Sequence, residues 1–347
     1  MAFAIARAVA AASPASPRPG AVARGRAVAR SSASGRTPAA LSFASSAPDG
    51  VGFSAAGMIF PYHVGAWEVL CETGVLGPST PVAGASAGAL VAAMHACGMS
   101  PDEGRRVLMG VLRDCRENGV VGRVGGVLET ALRRELPEDA HVRCSRSNLF
   151  VSVTAPAWAD ARTPGAPAGF NGGPGALENE LISDFDSRDD LIGALLSSCH
   201  IPLYCGWPAR RYRGRLRVDG GWTRLAPTPP VSERAVRVAS FPLLERWREA
   251  PPGDGTKTGN YFERQASFWE DWGVSEDEGL LIAPDGAYGE PTMDYLEMGK
   301  WALLPQDDAT LDALVEMGRA DANRWATLNG FGGQGACDLS GECEAVF

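Results

Sequence analysis

Hydrophobic positions along this chain change their period several times, and each change marks an element. Val51 to Ser54 is a short apolar run leading into Ala55-Ala56-Gly57, after which Pro61 opens a helical pattern with Val64, Trp67, Leu70 and Cys71 on one face and Gly74 as its stop. Pro81 to Gly84 reads as a second strand, and Ala87 to Cys97 as a tightly packed helix ending near Gly98. Residues 102–116 and 125–135 have helical spacing, the second with Leu128 and Leu132 facing away from Arg133-Arg134-Glu135. Further strands are expected from Leu149 to Ala155, from Glu180 to Phe185, from Leu216 to Val218 ending at Asp219, and from Ala235 to Ser240. A helix from Asp189 to Ser198 falls among them, and Leu311, Leu314, Val315, Gly318, Ala322 and Trp325 repeat as one long closing helix. Strands alternating with helices in this way predict an α/β fold on a parallel sheet.

Two stretches break the pattern. Trp158 to Leu177 is rich in Gly, Pro and Ala and reads as a surface insertion with a poorly ordered loop, and 242–292 is polar with irregular Gly and Pro. A third stretch is deceptive: the 29 residues between Glu72 and Asp102 have no formal charge and would pass as a membrane span by hydropathy. Pro81, Ser86, His95 and the Ala/Gly content fit a buried strand, turn and helix better, so the chain is expected to be soluble or peripherally bound.

Composition changes the picture mainly at the N-terminus. The first 48 residues contain Arg7, Arg18, Arg24, Arg26, Arg30 and Arg36, many Ala, Ser and Pro, and no acid before Asp49. That is the composition of an organelle transit peptide, which import removes. Residues 1–45 are therefore expected to be a chloroplast leader, with the mitochondrion or a lipid-droplet surface as alternative addresses, and residues 46–347 the folded domain with a C-terminal helical extension. Taking those six arginines from 32 basic residues leaves 26 against 41 acids, a net of about −15 for the rest. Such a balance argues against nucleic acid as a partner and gives no electrostatic help on anionic membranes, so transient membrane contact would need an apolar patch. Eight scattered cysteines form no CxxC pair and no zinc spacing and are expected to be reduced core thiols. There is no internal repeat and no glycine-lysine phosphate loop.

Candidate chemistry begins at Gly84-Ala85-Ser86-Ala87-Gly88, a G-x-S-x-G pattern in which small neighbours let a strand turn sharply into a helix with the serine hydroxyl exposed. In an Ala- and Gly-rich chain the same pattern also serves a tightly packed corner, so the proton acceptor decides. A serine hydroxyl is a weak nucleophile without one. The four histidines, His63, His95, His141 and His200, leave the last 147 residues without any, which disfavours the order Ser, Asp, His. Asp219 is the better base: it ends a Leu-Arg-Val strand, and Gly220-Gly221 permits a tight turn that presents its carboxylate. Read alone, Asp-Gly is simply a common turn dipeptide. An ordinary aspartate is a poor base at neutral pH, so the site needs a dry, apolar pocket to raise its basicity. Oxyanion donors are expected from the Ala87 amide at the helix start and from Gly57 and Met58 in the Ala56-Gly57-Met58 turn.

With these residues identified, the chain resembles the patatin-like phospholipases, and within them the adiponutrin and adipose triglyceride lipase branch, from about Val51 through Leu328. The blocks that carry the likeness are Phe53-Ser54 with Gly57, Tyr62-His63-Val64-Gly65, the Gly84–Leu90 elbow, Ser198-Cys199-His200-Ile201-Pro202-Leu203-Tyr204-Cys205-Gly206, and Arg217-Val218-Asp219-Gly220-Gly221. The resemblance implies a three-layer α/β/α fold with a mostly parallel central sheet, a Ser86–Asp219 dyad, hydrolysis of acylglycerols or phospholipids, and no metal or organic cofactor. Two departures stand out: a reduced glycine-rich element at Ala55-Ala56-Gly57-Met58-Ile59-Phe60, and Trp222-Thr223-Arg224-Leu225 in place of a polar run after D-G-G. Acylglycerol transacylation, a catalytically weak lipid-binding or scaffold role, and a Ser-Asp-His esterase using His200 with Asp184 are the alternatives.

Overall fold

Four buried residues, Gly50–Phe53, form β1, and the computed structural model builds the sheet outward from it. It describes residues 47–146, 148–156, 177–206, 209–241, 280–284 and 295–332. The expected leader, nearly all of the 158–177 insertion, most of 242–292, and Cys337 and Cys343 lie outside the described residues. In chain order the elements after β1 are α1 (Pro61–Glu72), β2 (Val82–Ala85), α2 (Ala87–Ala96), α3 (Pro101–Asn118), α4 (Val124–Glu135), α5 (Ala140–Arg146), β3 (Leu149–Pro156) and β4 (Leu177–Ile182). Next come α6 (Arg188–Ser198), β5 (Arg210–Tyr212), β6 (Arg215–Asp219), β7 (Ala235–Val238), β8 (Leu281–Ile282), α7 (Tyr295–Trp301) and α8 (Asp308–Leu328).

The strand order is β5-β6-β3-β2-β1-β7-β8, with β4 also paired to β3. Pairs β1–β2, β1–β7, β2–β3 and β7–β8 are parallel, whereas β3–β4, β3–β6 and β5–β6 are antiparallel. The fold is thus α/β with a mixed, mostly parallel central sheet and flanking helices. The expectation of a parallel sheet is corrected on the β3 side, where β4 and β6 both run against β3. The strand expected from Glu180 to Phe185 lies three residues earlier, because β4 is a half-exposed strand whose Glu178 and Glu180 hide its pattern. The short elements α5, β5, β8 and α7 are additions to the sequence reading.

Uncharged residues 73–101 do form strand, turn and helix, and no helix among the described residues is long and apolar enough to cross a membrane. Helix α3 starts at a capping box in which Ser100 and Glu103 satisfy each other's backbone donors, an arrangement that contributes about 1 kcal/mol. Helix α8 buries Leu311, Leu314, Val315, Ala322 and Trp325, as its periodicity predicts. It lies very close to α1: a Cβ on Gly65 would stand 2.0 Å from the Val315 carbonyl, and one on Gly318 2.0 Å from the Tyr62 carbonyl. Arg319 clamps the same contact through Glu68 and, at 3.4 Å, Glu72.

Candidate active site

The chain turns from β2 into α2 at Ser86, whose backbone is held at φ 53 and ψ −128. A non-glycine residue adopts that region only when its surroundings impose it. The corner is also tightly packed: a Cβ on Gly84 would stand 2.4 Å from the Gly88 carbonyl, and one on Gly88 2.3 Å from the Ser54 carbonyl. Both glycines of the motif are therefore required by the closeness of β2, α2 and the end of β1. Ser86 itself is 7% exposed.

Asp219 reaches this corner through β3. On one edge of β3, β4 pairs continuously from Val151 to Pro156. On the other edge β2 pairs up to Ala85 opposite Ser152, and β6 takes over with Asp219 opposite Val153. Because β2 runs parallel to β3 and β6 antiparallel, their C-terminal ends meet head to head. The two strand ends, Ala85 and Asp219, thus face adjacent residues of β3, one rise of about 3.3 Å apart along that edge, and Ser86 follows directly after Ala85.

Beyond Asp219 the chain folds into a single 3-10 turn, Gly220–Trp222, and Asp219 Oδ1 accepts the Gly221 N–H at 2.8 Å. The Gly-Gly pair fits this self-capping turn, in which an aspartate bonds its own backbone two residues on. Oδ2 is buried without a hydrogen-bond partner. Burial pushes the Asp219 carboxyl up from 3.8 to about 6, against the opposing pull of the Ser86 hydroxyl and the Gly221 amide. The serine hydroxyl is therefore near enough to favour the charged carboxylate, although the two do not form a full hydrogen bond; such pairs commonly tighten only around substrate. Leu225 packs with Ala55 and Ala85 close by: a Cβ on Gly221 would stand 3.0 Å from Asp219 Oδ1 and 3.5 Å from Leu225 Cδ1. Its carbonyl accepts the Ala55 N–H at 2.7 Å. The unusual apolar residue after D-G-G thus has a physical role beside the carboxylate.

The expected oxyanion donors divide. Gly57 stands at φ +56 at the start of a 3-10 turn, so the Ala55-Ala56-Gly57 sequence does form a turn. The Gly57 and Ala87 amides have no acceptor among the described residues. Met58 is a correction: its N–H donates to the Ala302 carbonyl at 2.9 Å, in the link between α7 and α8, and is not free for an oxyanion. Nothing in the local sequence signals this contact, because Ala302 arrives from far along the chain.

No histidine joins the pair. His63 is fully buried, with Nε2 3.3 Å from Ser54 Oγ, and burial lowers it to about 3. His95 is held by Trp67 Nε1 at 3.1 Å and sits 3.1 Å from the Gly77 carbonyl. His200 contributes its carbonyl, which accepts the Asp219 N–H at 2.8 Å. Its ring lines a cavity of about 120 Å³ with Glu129, Arg210, Cys199 and Cys205. Asp184, the acid for a histidine alternative, is exposed, and Arg213 bonds its backbone carbonyl. The Cys199 thiol, to which the sequence gives no role beyond packing, lies against Ser86; burial and the Asp219 charge push it far above the ordinary thiol range, so it stays protonated. Ser152, Thr154 and Ser198 also surround the pair, and only Ser198 stood in a block that signalled it.

The family model described as patatin-like phospholipase matches residues 53–231, a span that includes both Ser86 and Asp219. Among curated proteins, the Homo sapiens omega-hydroxyceramide transacylase is 32% identical over 201 residues, which is 56% of this chain and 34% of that protein. Homo sapiens patatin-like phospholipase domain-containing protein 4 is 32% identical over 197 residues, covering 54% of this chain and 70% of that one. The Mus musculus 1-acylglycerol-3-phosphate O-acyltransferase Pnpla3 is 29% identical over 217 residues, covering 60% of this chain and 46% of its own. The matched region spans about a third of the first of these relatives and under half of the third.

Proposed function

The chain belongs to the patatin-like phospholipase family, a family of lipid hydrolases and acyltransferases, and from that premise we propose that it is a lipid acyl-ester hydrolase working through Ser86 and Asp219. The observation that carries this reading is the apposition of a strained elbow serine with a desolvated carboxylate raised to about 6. At neutral pH that carboxylate is mostly ionised yet more basic than an ordinary aspartate. Asp219 takes the Ser86 Oγ proton as Oγ bonds to the carbonyl carbon of an acylglycerol or phospholipid ester. The Ala87 and Gly57 amides hold the resulting oxyanion, each such donor contributing on the order of 10²–10³ in rate. Collapse breaks the ester C–O bond, Asp219 returns its proton to the departing alkoxide, and water then resolves the acyl-serine with Asp219 again as base.

Acyl transfer is the second reading, because two relatives are named as a transacylase and an acyltransferase. In that case an acylglycerol hydroxyl replaces water in the second half. Intact-mass detection of a fluorophosphonate adduct, with ester hydrolysis measured in parallel, tests the first half. Adduct and activity are expected in the wild type and absent in Ser86→Ala; an unlabelled, inactive wild type would overturn the reading in favour of a lipid-binding protein. Labelled acylglycerol acceptor in the same assay separates transfer from hydrolysis by product. For location, the acid-free, arginine-rich first 48 residues support an organellar, chloroplast address with a mature chain beginning near residue 46. N-terminal sequencing of the mature protein tests that.

A further inference from the structure

Ser197 and Ser198 end helix α6, and both are fully buried. Ser197 does what a helical serine ordinarily does: its Oγ donates back to the Gly193 carbonyl at 2.7 Å. Ser198 does not. Its hydroxyl accepts the Ser86 N–H at 2.9 Å and donates to the Ser152 carbonyl at 2.6 Å, so its one proton points out of its own helix and onto β3.

These partners make the contact informative. Ser86 is the residue at φ 53, and its amide precedes the first turn of α2, where it has no helical acceptor. The Ser152 carbonyl is in turn the surface on which the D-G-G turn rests, since a Cβ on Gly220 would stand 2.0 Å from it. Two residues along β3, Thr154 Oγ1 donates to the Asp219 carbonyl at 2.8 Å. Asn179 Nδ2 closes the arrangement by donating to Ser152 Oγ at 2.8 Å and to Thr223 Oγ1 at 3.1 Å. The backbones that carry the two halves of the site are thus both bonded to β3, and beyond the last ladder pair, Ala85 with Ser152, the Ser198 hydroxyl ties the Ser86 amide itself to that strand.

Building on the Ser86–Asp219 reading above, we propose that Ser198 is a positioning residue: by bridging the Ser86 amide to the Ser152 carbonyl it holds the strained elbow so that the Ser86 hydroxyl faces Asp219. The bond also commits the Ser86 N–H, which leaves Ala87 and Gly57 as the amides for the oxyanion. Without that acceptor, the buried Ser86 N–H gains a bond only by letting the elbow relax, and the direction of Oγ changes with it.

The test compares the full-length wild type, Ser198→Ala and Ser198→Thr for fluorophosphonate acylation rate as a function of pH, hydrolysis of a short soluble ester, and amide hydrogen exchange of the peptide containing Ser86. Ser198→Ala is expected to lose roughly 10–100-fold in acylation rate and kcat, the scale of an ångström-size misplacement, with KM within about twofold. Its acid limb should move upward, because the Ser86 hydroxyl no longer supports the charged Asp219, and the Ser86 amide should exchange faster. Ser198→Thr, which keeps the hydroxyl, should recover most of the rate and the limb. A folded Ser198→Ala protein with the wild-type acylation rate and acid limb would overturn the proposal. If the wild type itself takes no fluorophosphonate, the hydrolase reading fails separately, and exchange decides alone: faster at Ser86 in the variant sustains the brace, unchanged removes it. Should Ser198→Ala not fold, Ser198→Cys is held to the same readouts with an intermediate loss expected, and an undiminished rate there overturns the proposal equally.

Discussion

Replacing Asp219 by Asn should remove the activity and, with it, a pH-dependent cost to stability. The carboxyl is fully buried, with Oδ2 unpartnered, and its burial lifts it from 3.8 to about 6. Between those two pH values the folded protein keeps a proton that the unfolded chain has lost, so folding loses stability as pH rises through about 3.8 to 6. The rise corresponds to about 3 kcal/mol, carried in full at pH 7 and absent below about pH 4. Asn retains the shape and an oxygen for the Gly221 N–H and carries no charge, so it escapes the pH-dependent penalty, while its NH2 in place of the unpartnered Oδ2 adds a pH-independent burial cost of about 1–3 kcal/mol. Chemical denaturation of both proteins at pH 7 and pH 4 measures the effect. The stability of Asp219→Asn relative to the wild type should rise by about 2–3 kcal/mol between pH 4 and pH 7. A difference independent of pH, or one that moves against the variant between pH 4 and pH 7, would refute the argument that the carboxylate is held in a dry site at a cost to stability.

Other expectations follow from the same geometry. The pH profile of kcat/KM should have an acid limb near 6, with about a tenfold fall from pH 7 to pH 5; a limb below about 4.5 would mean that Asp219 is not the desolvated base. Gly57→Ala puts a Cβ 2.1 Å from the Ala302 carbonyl at a φ of +56. The left-handed conformation alone costs about 1–2 kcal/mol, so denaturation should show at least that loss, together with slower acylation. In Gly318→Ala the new methyl meets the Tyr62 carbonyl at 2.0 Å and must push α8 from α1. A loss of about 1–3 kcal/mol with the acid limb unmoved is expected, and thermal melts alongside the pH profile check both.

Much of this protein was determined by sequence alone. Apolar periodicity located β1, α1, β2, α2, α3, α4, β3, α6, β6, β7 and α8 to within a few residues, because each buries a face and burial imposes its period on the chain. Ser86 and Asp219 were legible for a local reason: a sharp strand-to-helix turn demands small neighbours, and a self-capping aspartate turn demands glycine. What escaped is whatever depends on partners distant in the chain. Strand β4 hides behind Glu178 and Glu180, and the antiparallel course of β6, which brings Asp219 to the elbow, is a matter of which edge of β3 it joins. Tertiary structure alone decided that the Met58 amide belongs to Ala302, that Leu225 packs on Ala55 and Ala85, and that Ser198 turns away from its own helix. The physical reason is common to all three: a period or a turn is a property of a few neighbouring residues, whereas a hydrogen-bond partner or a desolvating side chain is chosen only once the packed fold has brought remote segments together.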